Sequence, residues 1–148
     1  MIHMSVWTMD ISSIVFSRII ANFSEDLKIK YKMQKLTAGG LTTWRNFSTS
    51  QVSEAPPIFP YITIIELPGQ ERGQDLEGSS INAAFFTFQV DVFDNKNEGR
   101  ARECMKEVVR IMKTMRFQIP TRASFNSKPQ EYRMVARFSR LIGHDDNL

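Results

Sequence analysis

The sequence predicts an α+β fold, in which an antiparallel sheet of four to five strands carries two helices packed on one face. Two observations lead to this prediction. Apolar residues recur every three or four positions in two segments, which is typical of helices, and every second position in several others, which is typical of strands. Since helices on one side leave the other side of a sheet open, that second face is either wet or covered by another subunit.

Length and composition limit the possible architectures. The chain has 148 residues, 42% of them hydrophobic and 24% charged, which suffices for one ordinary core and favours a single domain. We place this domain at residues 9–142, between an N-terminal extension at 1–8 and a polar tail at 143–148. The 19 basic and 16 acidic side chains give a net charge of +3, which is small for a dedicated nucleic-acid-binding domain.

The first predicted element is a helix that begins at Asp10, whose carboxylate can cap free backbone N–H groups. Residues 27–33 then alternate between apolar side chains and lysines, which predicts a strand with one face in water. Lys28, Lys30 and Lys32 would lie on that face. Positive charge there suits an exposed edge, because it discourages unwanted strand pairing.

A long polar segment follows. Residues 37–57 are rich in Gly, Ser, Thr and Pro, which predicts a loop or an inserted arm. Trp44 and Phe47 lie within it. Large aromatic side chains in a polar loop either dock on the protein's own core or serve a partner surface. The sequence leaves both possibilities open, and the segment is a candidate contact arm.

The β-branched run Tyr61–Leu67 predicts a strand that is closed by Pro68 and Gly69. Residues 70–80 then predict a mobile polar loop. This loop has an excess of acidic side chains, contributed by Glu71, Asp75 and Glu77.

A long central strand is predicted from Asn82 onward. Its alternation directs Phe85 and Phe93 away from the face that the helices cover. Asn95, followed three residues later by Glu98, resembles a capping box and predicts the start of an amphipathic helix. These two elements form the best defined part of the sequence pattern.

Two further strands, over residues 117–125 and 131–142, complete the predicted sheet. Arg133 and Arg137 share one face of the second strand. They form either a charged outer face in water or a surface that meets carboxylates or phosphates of a partner.

The sequence contains no catalytic, cofactor-binding or metal-binding constellation that we can identify. We interpret the single cysteine, Cys104, as a buried and inert residue of the predicted helix. His3 and His144 lack companions at zinc-ligand spacing, and no glycine-rich phosphate loop opens a helix. No apolar run reaches the roughly 20 residues that a membrane span needs. We therefore expect a protein that is not an enzyme, uses no cofactor and acts through its surfaces.

Five segments follow one another along the chain: Met9-Asp10-Ile11 at a helix start, Phe59 to Glu66, Phe88 to Lys96, Met115-Arg116-Phe117, and Tyr132 to Phe138. In this order they resemble the tail terminator, or tail completion, proteins of long-tailed phages. The likeness covers most of the chain and is a chain-wide pattern rather than a catalytic signature. Residues 37–57 form a longer segment than this family leads us to expect.

The resemblance implies a small α+β subunit that forms a hexameric ring at the head-proximal end of the tail tube. Such a ring stops tube growth and joins the tail to the head. The implied partners are further copies of the chain, the tail tube protein and a head connector or stopper protein. DNA would pass through the channel without specific binding, and no membrane would be involved. The protein would be assembled in the host cytoplasm and reside in the neck region of the virion.

Two hypotheses about sites accompany this resemblance. The acidic loop of Glu71, Asp75 and Glu77 would face the channel, where negative charge keeps passing DNA from sticking. Ring closure would use the following residues as the subunit interface: Lys28, Lys30, Lys32, Phe85, Phe93, Arg133 and Arg137. The alternatives are a head-side connector or stopper protein of the neck, and a nucleic-acid-binding accessory domain.

Overall fold

The structure, a computed structural model, describes residues 6–49, 58–74, 81–126 and 131–143, together with residues 146 and 148. Its helices are α1 (Val6–Asn22), α2 (Glu25–Lys30) and α3 (Glu98–Thr114). Its strands are β1 (Lys35–Ala38), β2 (Leu41–Trp44), β3 (Phe47–Ser48), β4 (Tyr61–Gln74), β5 (Ile81–Asp94), β6 (Gln118–Phe125) and β7 (Tyr132–Gly143).

The main sheet has the strand order β3-β4-β5-β7-β6. The predicted α+β class is confirmed, but the sheet is mixed rather than purely antiparallel, because β3 runs parallel to β4. Asn46 produces this parallel pair. Its carbonyl accepts a hydrogen bond from the N–H of Ile62 at 2.7 Å, and its side-chain amide donates to the carbonyl of Pro60 at 2.7 Å. These two bonds hold β3 beside the start of β4.

One face of the sheet packs against α1 and α3 and forms the core. The buried stripe of α1 has four-residue spacing and consists of Ile11, Val15 and Ile19, and Phe23 continues it one residue after the helix ends. The buried face of α3 consists of Ala101, Cys104, Met105, Val108, Ile111 and Met112. Opposite them, β5 buries every second side chain: Ala84, Phe86, Phe88, Val90 and Val92. Removing this continuous apolar layer from water is the main favourable contribution to folding.

Two helix starts differ from the prediction. α1 begins at Val6 rather than at Asp10, so part of the predicted N-terminal extension is helical. The N-terminal cap of α3 is Asn97 rather than Asn95, and its Oδ1 accepts a hydrogen bond from the N–H of Arg100 at 2.8 Å. Both errors arise because several polar residues near a helix start can serve as caps, and only the path of the backbone selects one.

The predicted strand over residues 27–33 is wrong, since residues 25–30 form α2. The Oγ of Ser24 caps this helix by accepting from the N–H of Leu27 at 3.5 Å. Leu27 and Tyr31, four positions apart, pack against the core, whereas Ile29 is 75% exposed. Residues four positions apart share one face of a helix, and they also share one face of a strand, because four is an even number. The helical pattern therefore resembled the alternation of a strand.

Residues 37–49 of the predicted loop or arm contain regular structure. β1 and β2 form a separate antiparallel hairpin. Gly39 and Gly40 form its two-residue turn, with φ values of 59° and 80°. Both positions require a positive φ, which glycine adopts without a steric penalty. Residues 50–57 of the segment lie outside the described residues.

β4 and β5 form a longer hairpin than predicted. β4 continues to Gln74 past Pro68 and Gly69, where the pairing register shifts between Leu67 and Gln70. A bulge at this point accommodates a proline, which has no N–H to donate, without ending the strand. Residues 70–74 of the predicted acidic loop are therefore strand, and residues 75–80 are not described.

Candidate functional site

The side of the sheet that α1 and α3 leave open is the candidate site, and we call it the helix-free face. Its side chains are those that alternate with the core residues of three neighbouring strands. From the strand register they are Tyr61, Thr63, Ile65 and Leu67 of β4, Phe85, Thr87, Gln89, Asp91 and Phe93 of β5, and Arg133, Val135, Arg137, Ser139 and Leu141 of β7.

A polar network occupies the middle of the helix-free face. Asp91, only 1% exposed, accepts hydrogen bonds from Nη2 of Arg133 at 2.7 Å and from Nε2 of Gln89 at 3.1 Å. The Oε1 of Gln89 in turn accepts from Nε of Arg137 at 3.2 Å. Charge-assisted hydrogen bonds of this kind hold side chains in defined positions. The four groups therefore form one preorganised chain across β5 and β7.

Aromatic and aliphatic groups flank this network at both ends. At one end, the rings of Tyr61 and Phe93 have centroids 6.4 Å apart, and the guanidinium of Arg133 lies 5.5 Å from the centroid of the Phe93 ring. At the other end, half-buried Phe85 is paired in register with Leu141, which is 49% exposed. The face thus combines a rigid polar centre with apolar ends.

Thr63 adds a further polar group close to this centre. It pairs in register with Asp91 and is 1% exposed, yet its Oγ1 has no hydrogen-bond partner among the described residues. A buried hydroxyl without a partner costs free energy in the isolated chain. It leaves this part of the face with unused hydrogen-bonding capacity.

The predicted lysine group does not form a surface with the arginines. Lys28 is 5% exposed, and its Nζ donates to the carbonyl of Ile20 at 2.9 Å and to Oε1 of Glu25 at 3.1 Å. Lys30 forms an ion pair of 3.0 Å with Glu103. These two lysines belong to α2, and their contacts are made within the fold. The prediction of a shared water-facing strand face is therefore wrong.

Lys32 is exposed, at a positive φ of 52° in the turn after α2. It too lies away from the helix-free face. By contrast, Phe85, Phe93, Arg133 and Arg137 lie together on that face, as the alternation predicted. Their role as a subunit interface stays a prediction.

The aromatic residues of the candidate contact arm pack on the protein itself. Phe47 is 6% exposed and meets the ring of Phe23 edge to face, with centroids 5.3 Å apart. Half-buried Trp44 packs against the core, and its ring lies 4.6 Å from Nζ of Lys28 and 5.2 Å from Nζ of Lys35. Of the two possibilities that the sequence left open, docking on the core is the one observed, and the interpretation of Phe47 as part of a contact arm is wrong.

Of the acidic residues predicted to line a channel, one lies within the described part of the chain. Glu71 is in β4, paired in register with Ala84 of β5, rather than in a loop. Asp75 and Glu77 lie outside the described residues. The hypothesis that these three carboxylates face a channel stays a prediction.

Sequence reasoning missed Asp91 and Gln89 as members of the site. The available signal was a carboxylate in the middle of a strand rich in aromatic and β-branched residues, since acidic residues are depleted in strands and rarely buried without a partner. This signal could indicate that Asp91 needs a positively charged side chain as its partner. It could not identify Arg133, which lies 42 residues further along the chain.

A second polar cluster joins α2 to α3 but offers no open site. The hydroxyl of Tyr31 donates to Glu103 at 2.6 Å. Burial, together with the neighbouring carboxylate, raises the pKa of Tyr31, and the hydrogen bond from Tyr31 lowers the pKa of Glu103. Next to it, burial raises the pKa of Cys104 to about 12, so the thiol is un-ionised and unreactive near neutral pH.

The described residues contain no group of three or more His, Cys, Asp or Glu side chains placed to hold a metal ion. Within the same part of the chain, no helix has both the length and the apolar character to cross a bilayer. The helix-free face carries paired polar groups at its centre and apolar groups at its two ends.

No protein-family model matches this chain, and the comparison with curated proteins found no match.

Proposed function

We propose that this chain is a structural subunit of a phage virion, which forms a ring at the head-proximal end of the tail tube, ends tube growth and joins the tail to the head connector. The proposal is supported by the resemblance of the sequence to tail terminator proteins. One structural observation carries it further: the helix-free face has a preorganised polar centre between apolar ends.

This combination favours assembly because protein interfaces rely on a few anchored aromatic and arginine side chains with apolar neighbours. Arg133 is held by Asp91 and by the Phe93 ring, so little side-chain entropy is lost when a partner covers it. Leu141, exposed at the other end, gains from being covered. A neighbouring subunit or the end of the tail tube is the kind of partner that fits this surface.

The same geometry favours assembly over the alternative of a nucleic-acid-binding accessory domain. Arg133 neutralises Asp91, and Arg137 is hydrogen-bonded to Gln89. One of the two positive charges of this face is therefore cancelled inside the fold. Nucleic-acid surfaces instead collect several unpaired basic groups, whose contacts with phosphates dominate affinity.

Imaging of the virion neck tests the location. A label fused to the chain should appear as a ring between the tail tube and the head connector. A label on the capsid side of the connector would instead indicate a head-side connector or stopper protein. Absence of the label from intact particles would refute a structural role in the virion.

A pair of matched substitutions tests the surface. Leu141→Asp places a charge on the helix-free face, whereas Ile29→Asp places the same charge at a 75% exposed position on α2. We expect Leu141→Asp to give tails of abnormal length or tails that do not join heads, and Ile29→Asp to give normal tails. Normal tails with both variants would show that the helix-free face makes no essential contact.

A further inference from the structure

The main sheet has an open edge on each side. On the outer side of β4, β3 pairs only with Ile62 and Thr63, and beyond that point no described strand pairs with β4. At the opposite side, β7 is the only described neighbour of β6. Such edges present unpaired N–H and C=O groups, which can pair with a strand of another chain.

The strand directions make these two edges complementary. β4 is antiparallel to β5, β5 to β7, and β7 to β6. β4 and β7 therefore run one way, and β5 and β6 run the other way. When copies follow one another around a ring, β6 of one copy meets β4 of the next in antiparallel orientation. Such a join would continue the antiparallel hydrogen bonding of the sheet from one copy into the next. The helix-covered faces of the two sheets would lie on the same side.

The charges beside the two edges are also complementary. Glu66 lies on the open edge of β4, in register with Phe88 and so on the helix side of the sheet. Its carboxylate forms no ion pair with any described residue, and partial burial raises its pKa. An acidic side chain that is partly desolvated and has no cation beside it would be stabilised by a basic partner.

The basic partners lie at the other edge, also on the helix side. Arg102 and Lys106 of α3 border a groove of about 660 Å³ between α3 and β6. Arg102 lies over the ring of Phe125, 5.2 Å from its centroid. Neither Arg102 nor Lys106 forms an ion pair with a described residue, so both cations are available to a neighbouring carboxylate.

We propose that successive copies of the chain join head to tail, with β6 of one copy paired antiparallel with β4 of the next. In this join, Glu66 of the second copy meets Lys106 and Arg102 of the first. The inference deepens the proposed function and rests on it for closure of the ring. A head-to-tail contact of this kind closes into a ring or continues as a filament, according to the rotation between copies.

Charge selects the partner in this join. β6 pairs with β7 at only four positions, with register shifts between them. Bulges of this kind protect an edge against indiscriminate strand addition. In the proposed join, the β6 edge pairs with a strand that places an acidic side chain next to α3. The helix-free face takes no part in the join and stays available to the tail tube.

Reciprocal charge reversal of the full-length chain tests the join. Glu66→Lys alone sets a cation against Lys106 and Arg102 at every contact, and Lys106→Glu alone sets a carboxylate against Glu66 and leaves Arg102 as its one cation in the join. Each variant alone should raise the protein concentration of half-assembly by about tenfold or more, measured by analytical ultracentrifugation. Mixed in equal amounts, the two variants should assemble again, because every contact between unlike copies joins opposite charges at positions 66 and 106.

The mixture has a further signature. At a join where the Lys106→Glu copy supplies β6 and the Glu66→Lys copy supplies β4, the charges are opposite but reversed. At the other kind of join, where the Glu66→Lys copy supplies β6, both charges are native. Alternating copies therefore satisfy every contact, and rings built in this way contain only even numbers of subunits, as a hexamer does.

Controls separate this effect from misfolding and from net charge. Glu131→Lys and Lys96→Glu make the same charge changes at exposed positions outside β4 and β6, and they should assemble like the unmodified chain. Circular dichroism should show that all variants are folded. In the assembled state, amide hydrogen exchange should slow in residues 64–67 and 118–125 relative to the variants that stay monomeric.

The outcomes are distinct. Assembly by each single variant as readily as by the unmodified chain refutes the join, and so does a mixture of folded variants that stays unassembled. If imaging nevertheless shows a ring in the neck, the proposed function stands without this join. Both the join and the proposed function are refuted if the unmodified chain stays monomeric at all concentrations, with and without tail tubes, and is missing from the neck.

Discussion

Substituting Asn for Asp91 tests whether the polar network holds the helix-free face together. The change keeps the size of the side chain and removes its charge. Arg133 then loses its anionic partner at 2.7 Å, while Gln89 keeps a hydrogen-bonding neighbour. The expected result is a less stable protein whose Arg133 side chain is less well positioned.

The magnitude follows from the burial of the two partners. Asp91 is 1% exposed and Arg133 is 28% exposed. Breaking a fully buried ion pair costs about 3–5 kcal/mol, because a charge is left without a partner. Water can reach part of the Arg133 side chain and compensates some of this loss. We therefore expect a decrease of about 2–3 kcal/mol in the free energy of unfolding, or about 4–12 °C in Tm for a chain of this length.

Urea unfolding of Asp91→Asn, Arg133→Met and the double variant measures the effect. The two single changes should be coupled by at least about 1 kcal/mol, because each removes the same interaction. As a control, Asp146→Asn affects a carboxylate that is 41% exposed and pairs with Arg140, and should cost under about 1 kcal/mol. A loss below about 0.5 kcal/mol for Asp91→Asn, with no coupling to Arg133, would refute the reasoning.

Three further predictions concern the core and its ion pairs. Phe47→Ala should lower the free energy of unfolding by about 3–5 kcal/mol, because it empties a buried site; a loss under about 1 kcal/mol would contradict the docking of this ring on the core. Cys104, with its pKa raised to about 12 by burial, should react with thiol reagents only as fast as the chain unfolds, and rapid labelling of folded protein would contradict its burial. Glu107 has a lowered pKa, chiefly through the hydrogen bond from Arg110 and also through the N–H of Ser24. Since its pKa is lower in the folded than in the unfolded state, its contribution to stability is complete above about pH 5 and is lost as the pH falls through the lowered value. The stability difference between the unmodified chain and Glu107→Gln should therefore shrink in acid, and a constant difference down to about pH 3 would contradict this assignment.

Part of the candidate site could be predicted from the sequence. The alternation in β5 placed Phe85 and Phe93 on one face, and that in β7 placed Arg133 and Arg137 on one face. A strand has a strict period of two, so a long apolar alternation defines both of its faces. Which strands are neighbours is a separate question. The contact between Asp91 and Arg133 depends on the pairing of β5 with β7, which no local pattern reveals.

The lysine segment shows how a short pattern misleads. Over seven residues, Leu27, Ile29 and Tyr31 fit a strand as well as a helix. The structure resolves the ambiguity through the Ser24 cap and through contacts of Tyr31 with Glu103 of α3. Tertiary contacts override weak local preference in segments this short.

By itself, the sequence determined the α+β class, the amphipathic helix α3 and the two faces of the long strands, because each of these depends on a period repeated within one segment. Only the tertiary structure decided that β3 lies parallel to β4, that Phe47 belongs to the core and that Asp91 has Arg133 as its partner. These features depend on contacts between segments distant in the chain. Their free energy comes from burial and charge pairing that exist only once the segments have met.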